Sequence, residues 1–202
     1  MIDPILPGAT IGVFGGGPGS RLFASVARRM GYRVATYSPV PAGAIADTVI
    51  TAAYEDLDEV RRFASLVKVV TFELDTVPKE TMEAAEAAVP VRPSPAVLFL
   101  VQNRIRQKGF LKRAGLPITP YRDAKTFAEL QRGVGEIAYP AAVKKAAAGE
   151  DTHGYFRLDS PQALGPAWEF VAKREAVAEP FLELRQEITI VAARSEDGVF
   201  AP

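Results

Sequence analysis

The chain has 202 residues, 24 Lys plus Arg balanced by 24 Asp plus Glu, and 48% hydrophobic side chains, enough to bury a substantial core. The charge balance argues against a general nucleic-acid or membrane-surface binder, which needs a basic excess, and the absence of cysteine excludes disulfides, thiolate metal sites and cysteine nucleophiles. No apolar run is long enough to span a bilayer, and Met1-Ile2-Asp3-Pro4 lacks the basic flank and apolar stretch of a signal peptide, so the expected location is the cytoplasm.

Thr10-Ile11-Gly12-Val13-Phe14 is a short apolar run ending in glycines and predicts a buried strand. Leu22, Phe23, Val26, Ala27 and Met30 then recur at helical spacing, with Gly31 as the stop. Arg33–Tyr37 predicts a second strand, which closes a βαβ unit. Tyr54–Val67 predicts an amphipathic helix, residues 69–73 a further buried strand, and Pro78 the start of a third helix. Val91-Arg92-Pro93-Ser94-Pro95 marks a boundary, so the domains are expected at 1–93 and 94–202. Ser94 and Pro95 open a single long helix predicted to run to Ala114.

The second half changes pattern. Thr126 and Glu129 have capping-box spacing, Ala141–Lys145 predicts a strand, and a small-residue loop, 146–154, leads to a returning strand at Tyr155–Leu158. Ser160-Pro161 opens a helix containing Trp168. Residues 177–179 and 187–193 predict strands, and Ser195-Glu196-Asp197-Gly198 predicts a hairpin turn. The expected fold class is α/β: a Rossmann-like parallel-sheet domain followed by an incomplete α+β domain.

Gly15-Gly16-Gly17 lies between a strand and a helix, where backbone N–H groups and a positive helix end suit an anion. A dinucleotide fingerprint also needs a third glycine at position 20 and an acidic residue ending the second strand. Position 20 is Ser20, no acidic residue falls between Met30 and Asp47, and Pro18 removes one donor, so NAD is disfavoured. The plainer reading, a tight turn without a ligand, stays open.

Five segments occur in an order and spacing that resemble the ATP-grasp ligases, and among them the N5-carboxyaminoimidazole ribonucleotide synthetases of purine biosynthesis. They are residues 11–17 with Arg21, residues 70–73 through Val77-Pro78, Arg92–Pro95, Gln102–Arg104 through Lys108, and Glu187–Thr189 through Arg194. The resemblance implies a pre-ATP-grasp domain, then an ATP-grasp domain, and an ATP-dependent carboxylation of aminoimidazole ribonucleotide with bicarbonate. It implies that Lys108 and Lys144 reach the ATP phosphates, that Glu179 and Leu182 form the hinge beside the adenine, and that Glu187 holds the ribose hydroxyls. It places Gly15, Gly16, Gly17, Arg21 and Glu73 toward the ribonucleotide, and it implies pairing of two copies through the first domain.

Taken singly, each residue has a plainer reading. Lys108 sits among Arg104, Arg106 and Lys112 on a charged helix, Lys144-Lys145 could guard an edge strand, Glu187 could face outward from a strand, and Glu73 could cap locally. His153, the single histidine, reads as a surface loop residue.

The chain also departs from the family pattern. The loop expected to cover the phosphates reads Ala148-Gly149-Glu150-Asp151-Thr152-His153-Gly154-Tyr155, where Glu150 sets like charge against phosphate. The family's magnesium carboxylates are expected beyond Pro202, so no metal ligand is assigned and this polypeptide alone is expected not to turn over ATP. The competing readings are a non-catalytic derivative that binds a phosphorylated ligand or partner, and a relative of biotin carboxylase, against which Thr71-Phe72-Glu73 and Arg92-Pro93-Ser94 speak.

Overall fold

The computed structural model describes residues 4–41, 46–147, 154–194 and 198–201. Its first half alternates strand and helix: β1 (Thr10–Phe14), α1 (Pro18–Arg29), β2 (Arg33–Ser38), β3 (Thr48–Thr51), α2 (Leu57–Ser65), β4 (Val69–Phe72) and α3 (Lys79–Glu86). The strands form one parallel sheet in the order β3-β2-β1-β4. Helices cover both faces, which is why these strands are apolar runs rather than alternating ones. Ala24 and Ala27 of α1 pack with Val13 and Val34 on one face. On the other, Val60 and Phe63 of α2 and Met82 and Ala85 of α3 pack with Phe14, Tyr37 and Val70. Gly12 allows α2 to lie close, because a Cβ there would fall 2.9 Å from the Phe63 ring.

Strand β3 has no counterpart in the sequence reading, although Thr48-Val49-Ile50-Thr51 is a β-branched run. Helix α2 is shorter than the predicted Tyr54–Val67, because Asp56 Oδ1 accepts from Glu59 N–H at 3.1 Å and fixes its start.

The predicted long helix from Pro95 to Ala114 is two helices, α4 (Pro95–Val101) and α5 (Arg104–Arg113). Asn103 breaks it. Its backbone is extended, and its side-chain oxygen accepts from the N–H groups of Ile105 and Arg106, so it caps α5 instead of continuing α4. Ser94 occupies the N-cap position of α4 without making the expected side-chain bond. Leu98 of α4 is fully buried in the first core.

The second sheet is antiparallel, with β5 (Arg122–Ala124), β6 (Ala141–Lys145), β7 (Phe156–Leu158) and β8 (Ala176–Pro180) in the order β5-β8-β6-β7. It carries α6 (Phe127–Ile137), opened by the Thr126–Glu129 capping box, and α7 (Leu164–Phe170) after a 3-10 turn at Pro161–Ala163. Leu130, Val134, Val143, Leu158 and Leu164 form its core. The structure is thus a parallel α/β unit followed by an antiparallel α+β unit.

The strand predicted at 187–193 is a correction. Residues 181–192 carry no strand, and only β9 (Ala193–Arg194) pairs, with β10 (Phe200–Ala201). An alternating segment becomes a strand only where a neighbour completes its ladder, and Ile188 and Ile190 remain 72% and 77% exposed. The predicted turn at 195–197 and most of the loop 146–154, including His153, lie outside the described residues.

Candidate functional site

Two constellations collect the charged and glycine residues marked by the sequence. The first sits at the carboxyl ends of β1 and β4. The crossover direction reverses between these strands, a place where open α/β sheets take ligands. The chain leaves β1 through Gly15, at φ +139°, and enters α1 with Gly17 at the N-cap position, where it has no side chain to satisfy the helix N–H groups.

Glu73, just past β4, supplies what Gly17 cannot. Its backbone N–H donates to Phe14 O at 2.9 Å, which fixes it beside β1. Its carboxylate accepts from Gly17 N–H at 2.9 Å, Gly19 N–H at 2.8 Å and Ser20 Oγ at 2.5 Å. A Cβ at residue 15, 17 or 19 would lie 2.7, 2.6 or 2.9 Å from a Glu73 atom, so the glycines are what let the carboxylate in. Burial works against its charge, but the bonds from Ser20, Gly17 and Gly19 outweigh it and hold the carboxyl below its ordinary value.

Tyr54 and Ser38 border the same end of the sheet. Burial, then the charge of Glu73, pushes the Tyr54 phenol up to about 12, against a hydrogen bond with Ser38. A cavity of about 220 Å³ opens beside the loop, lined by Val13, Ser20, Phe23, Phe72 and Glu73. Arg21 is exposed on the first turn of α1.

The second constellation joins three elements of the second half. Lys108 comes from α5, Lys144 from β6 and Glu179 from β8. Strand pairing brings Ala142 opposite Glu179 and Val143 opposite Ala178, so Lys144 lies near Glu179 across the ladder. Helix α5 is tied to the end of β6 by Arg104, whose N–H donates to Ala146 O at 2.7 Å and whose Nε donates to Lys145 O at 3.1 Å. Lys108 Nζ then meets Glu179 Oε1 at 3.1 Å, and Lys144 Nζ donates to Glu179 Oε2 at 3.3 Å. The Glu179 side chain is 7% exposed, against 16% for Lys108 and 27% for Lys144. Its Oε1 is buried without an aligned hydrogen bond, so Lys108 acts on it as a charge contact. Lys108 Nζ also lies 5.4 Å from the Tyr121 ring centre.

The structure therefore brings Lys108, Lys144 and Glu179 together, and separately Gly15, Gly17 and Glu73. Leu182 is 52% exposed, and Glu187 is exposed on the segment without strand pairing. Among the described residues no group of three acidic or histidine side chains is placed to hold a metal. Tyr54, Ser38 and the capping by Asn103 escaped sequence reasoning. Asn103 had a legible signal, a cap-forming residue ahead of a charged helix, hidden by the apolar run before it.

A family model for the ribonucleotide synthetase preATP-grasp domain matches residues 8–102, and one for the ATP-grasp domain matches residues 109–202. The N5-carboxyaminoimidazole ribonucleotide synthase of Bacillus subtilis (strain 168) is 30% identical over 197 residues, covering 96% of this chain and 52% of that protein. A solved N5-carboxyaminoimidazole ribonucleotide synthetase in complex with ADP superposes with a TM-score of 0.91 at 30% identity, over 98% of this chain and 53% of the other. An Aspergillus clavatus synthase solved with ADP and 5-aminoimidazole ribonucleotide gives 0.74 at 27% identity, over 88% and 47%. The chain spans about half the length of the relatives it matches. It carries the preATP-grasp and ATP-grasp domains of the ATP-grasp family in that order, and what it matches is about half of an N5-carboxyaminoimidazole ribonucleotide synthetase.

Proposed function

We propose that this chain provides the ribonucleotide-facing and ATP-facing parts of an N5-carboxyaminoimidazole ribonucleotide synthetase. Such an enzyme uses ATP and bicarbonate to carboxylate the amine of aminoimidazole ribonucleotide, in cytoplasmic purine biosynthesis. The observation that carries the reading is the meeting of Lys108 and Lys144, from a helix and a strand far apart in sequence, at one buried carboxylate. Two ammonium groups fixed side by side suit a polyphosphate.

In this reading Lys108 and Lys144 take the phosphates, Glu179 and Leu182 flank the adenine, and Glu187 accepts from the ribose hydroxyls. Glu73, held by Gly17, Gly19 and Ser20, faces the ribonucleotide together with Gly15, Gly16, Gly17 and Arg21. The two units meet at residues 93–94, with α4 as a connector that packs back on the first core. Magnesium, which the family chemistry implies, has no fitting ligand group among the described residues. Thermal-shift titration tests the reading: ATP or ADP, and separately aminoimidazole ribonucleotide, should each raise the melting temperature. No shift with either would sink it.

A second reading, a non-catalytic derivative that binds a phosphorylated ligand or a partner, is favoured by one observation. Both candidate anion sites already hold protein carboxylates, Glu73 and Glu179. A shift with aminoimidazole ribonucleotide but none with ATP would support it.

Pairing through the first domain is proposed on the outward face of α1. There Leu22, Phe23, Val26 and Met30 are between 37% and 69% exposed, while Ala24 and Ala27 face the sheet. Light scattering showing a dimer that Val26→Glu converts to a monomer would support this, and a wild-type monomer would exclude it.

A further inference from the structure

Glu179 is the most buried carboxylate among the described residues of the second unit, and it spends both oxygens on the two lysines. A buried carboxylate needs compensation for the water it loses. Here the compensation comes from the same ammonium groups that the reading above gives to the phosphates. The lysines are longer-stemmed and more exposed than Glu179, and they can turn toward an incoming anion. Glu179 is held on a central strand, between β5 and β6, and cannot follow.

We propose that Glu179 is an internal counter-ion: in the nucleotide-free chain it occupies the place between Lys108 and Lys144, and it competes with phosphates for both. The inference rests on Lys108 and Lys144 being the phosphate-reaching lysines. The competition sets an affinity ceiling, because part of the attraction between lysines and phosphate replaces an attraction already present.

The test compares wild-type chain with Glu179→Gln by calorimetric titration of inorganic tripolyphosphate and of ADP, each at two salt concentrations. Glu179→Gln should bind tripolyphosphate about tenfold more tightly, because two uncompensated ammonium groups then face the anion, and its affinity should fall more steeply with salt. Equal or weaker tripolyphosphate binding by the folded variant overturns the proposal. If the wild-type chain nevertheless binds ADP, the nucleotide reading stands without it. If neither protein binds ADP, the nucleotide reading fails, and the tripolyphosphate comparison still decides whether Glu179 competes. Glu179→Asp covers the case in which the glutamine variant does not fold. Its shorter carboxylate reaches one lysine at most, so a clear gain in tripolyphosphate affinity over wild type is expected, and wild-type affinity counts against the proposal.

Discussion

The backbone N–H of Gly17 donates to Glu73 Oε2 at 2.9 Å, linking residues 56 apart in sequence at the entrance to α1. The contact reinforces the direct pairing of β1 with β4, and it gives the helix N-terminus a fixed negative charge. Replacing Glu73 with Ala should destabilise the chain by about 1–3 kcal/mol, because the loop donors lose a charged acceptor. Urea unfolding followed by circular dichroism measures this, and an unchanged midpoint would show that water satisfies the loop equally well.

The same carboxylate gives the fold an acid-sensitive element. Its folded-state pKa lies below the ordinary 4.5, so its contribution is fully present above about pH 4.5 and is lost as pH falls through the lower folded value. Glu73→Gln removes the difference in proton binding. Between about pH 5 and 2 the stability of the variant should therefore fall less steeply than that of wild type, as read from melting temperatures across that range. Parallel curves would count against the charged form of Glu73 as the relevant species.

At the alkaline end two tyrosines act together. Burial pushes both Tyr37 and Tyr54 up to about 12. A raised folded pKa means that the native state keeps protons which the unfolded state releases above about 10. Stability should thus decline from about pH 10 to 12. Tyr54→Phe should make that decline shallower, and phenolate absorbance on titration should lose one late-titrating group. Wild-type behaviour of the variant in both measurements would refute the assignment.

Asn103 should matter beyond its own helix. Asn103→Ala removes the cap of α5, at a cost of about 1 kcal/mol. Because α5 carries Lys108, ADP affinity should also fall, and hydrogen exchange should quicken in residues 104–108. Loss of stability without change in exchange there would place the effect elsewhere.

Leu98 tests where the first core ends. It is fully buried against that core, and Leu98→Ala should cost about 2–5 kcal/mol. A cost below about 0.5 kcal/mol by urea unfolding would mean that α4 is not part of the first cooperative unit.

Much of this was legible in the sequence wherever local rules and tertiary packing agree. Val13 and Phe14 read as a buried strand because helices cover both faces of β1, and Thr126 with Glu129 read as a helix start because a capping box is a local device. The break at Asn103 was hidden by the apolar run before it, and the bond from Arg104 N–H to Ala146 O that anchors the start of α5 joins distant segments. Strand β3 lacks the flanking periodicity of its neighbours and is recruited by β2 alone. The Glu187 segment alternates as a strand should, yet pairing depends on a neighbour that no local pattern reveals. The residue types of the site were visible, but their arrangement was not. That Glu73 fills its own glycine loop, and that one glutamate holds both lysines, depends on side-chain geometry rather than spacing.

The two sheets differ in when they can assemble as the polypeptide leaves the ribosome. The parallel sheet is complete in sequence once β4 has emerged, so its strands can dock while the rest is still being made. The antiparallel sheet is otherwise: β8, its last strand in the chain, lies between β5 and β6. Until residues 176–180 emerge, β5 has no partner and β6 has only β7. The nascent second half therefore waits on a single late strand, and Glu179, which gathers the two lysines, arrives with it.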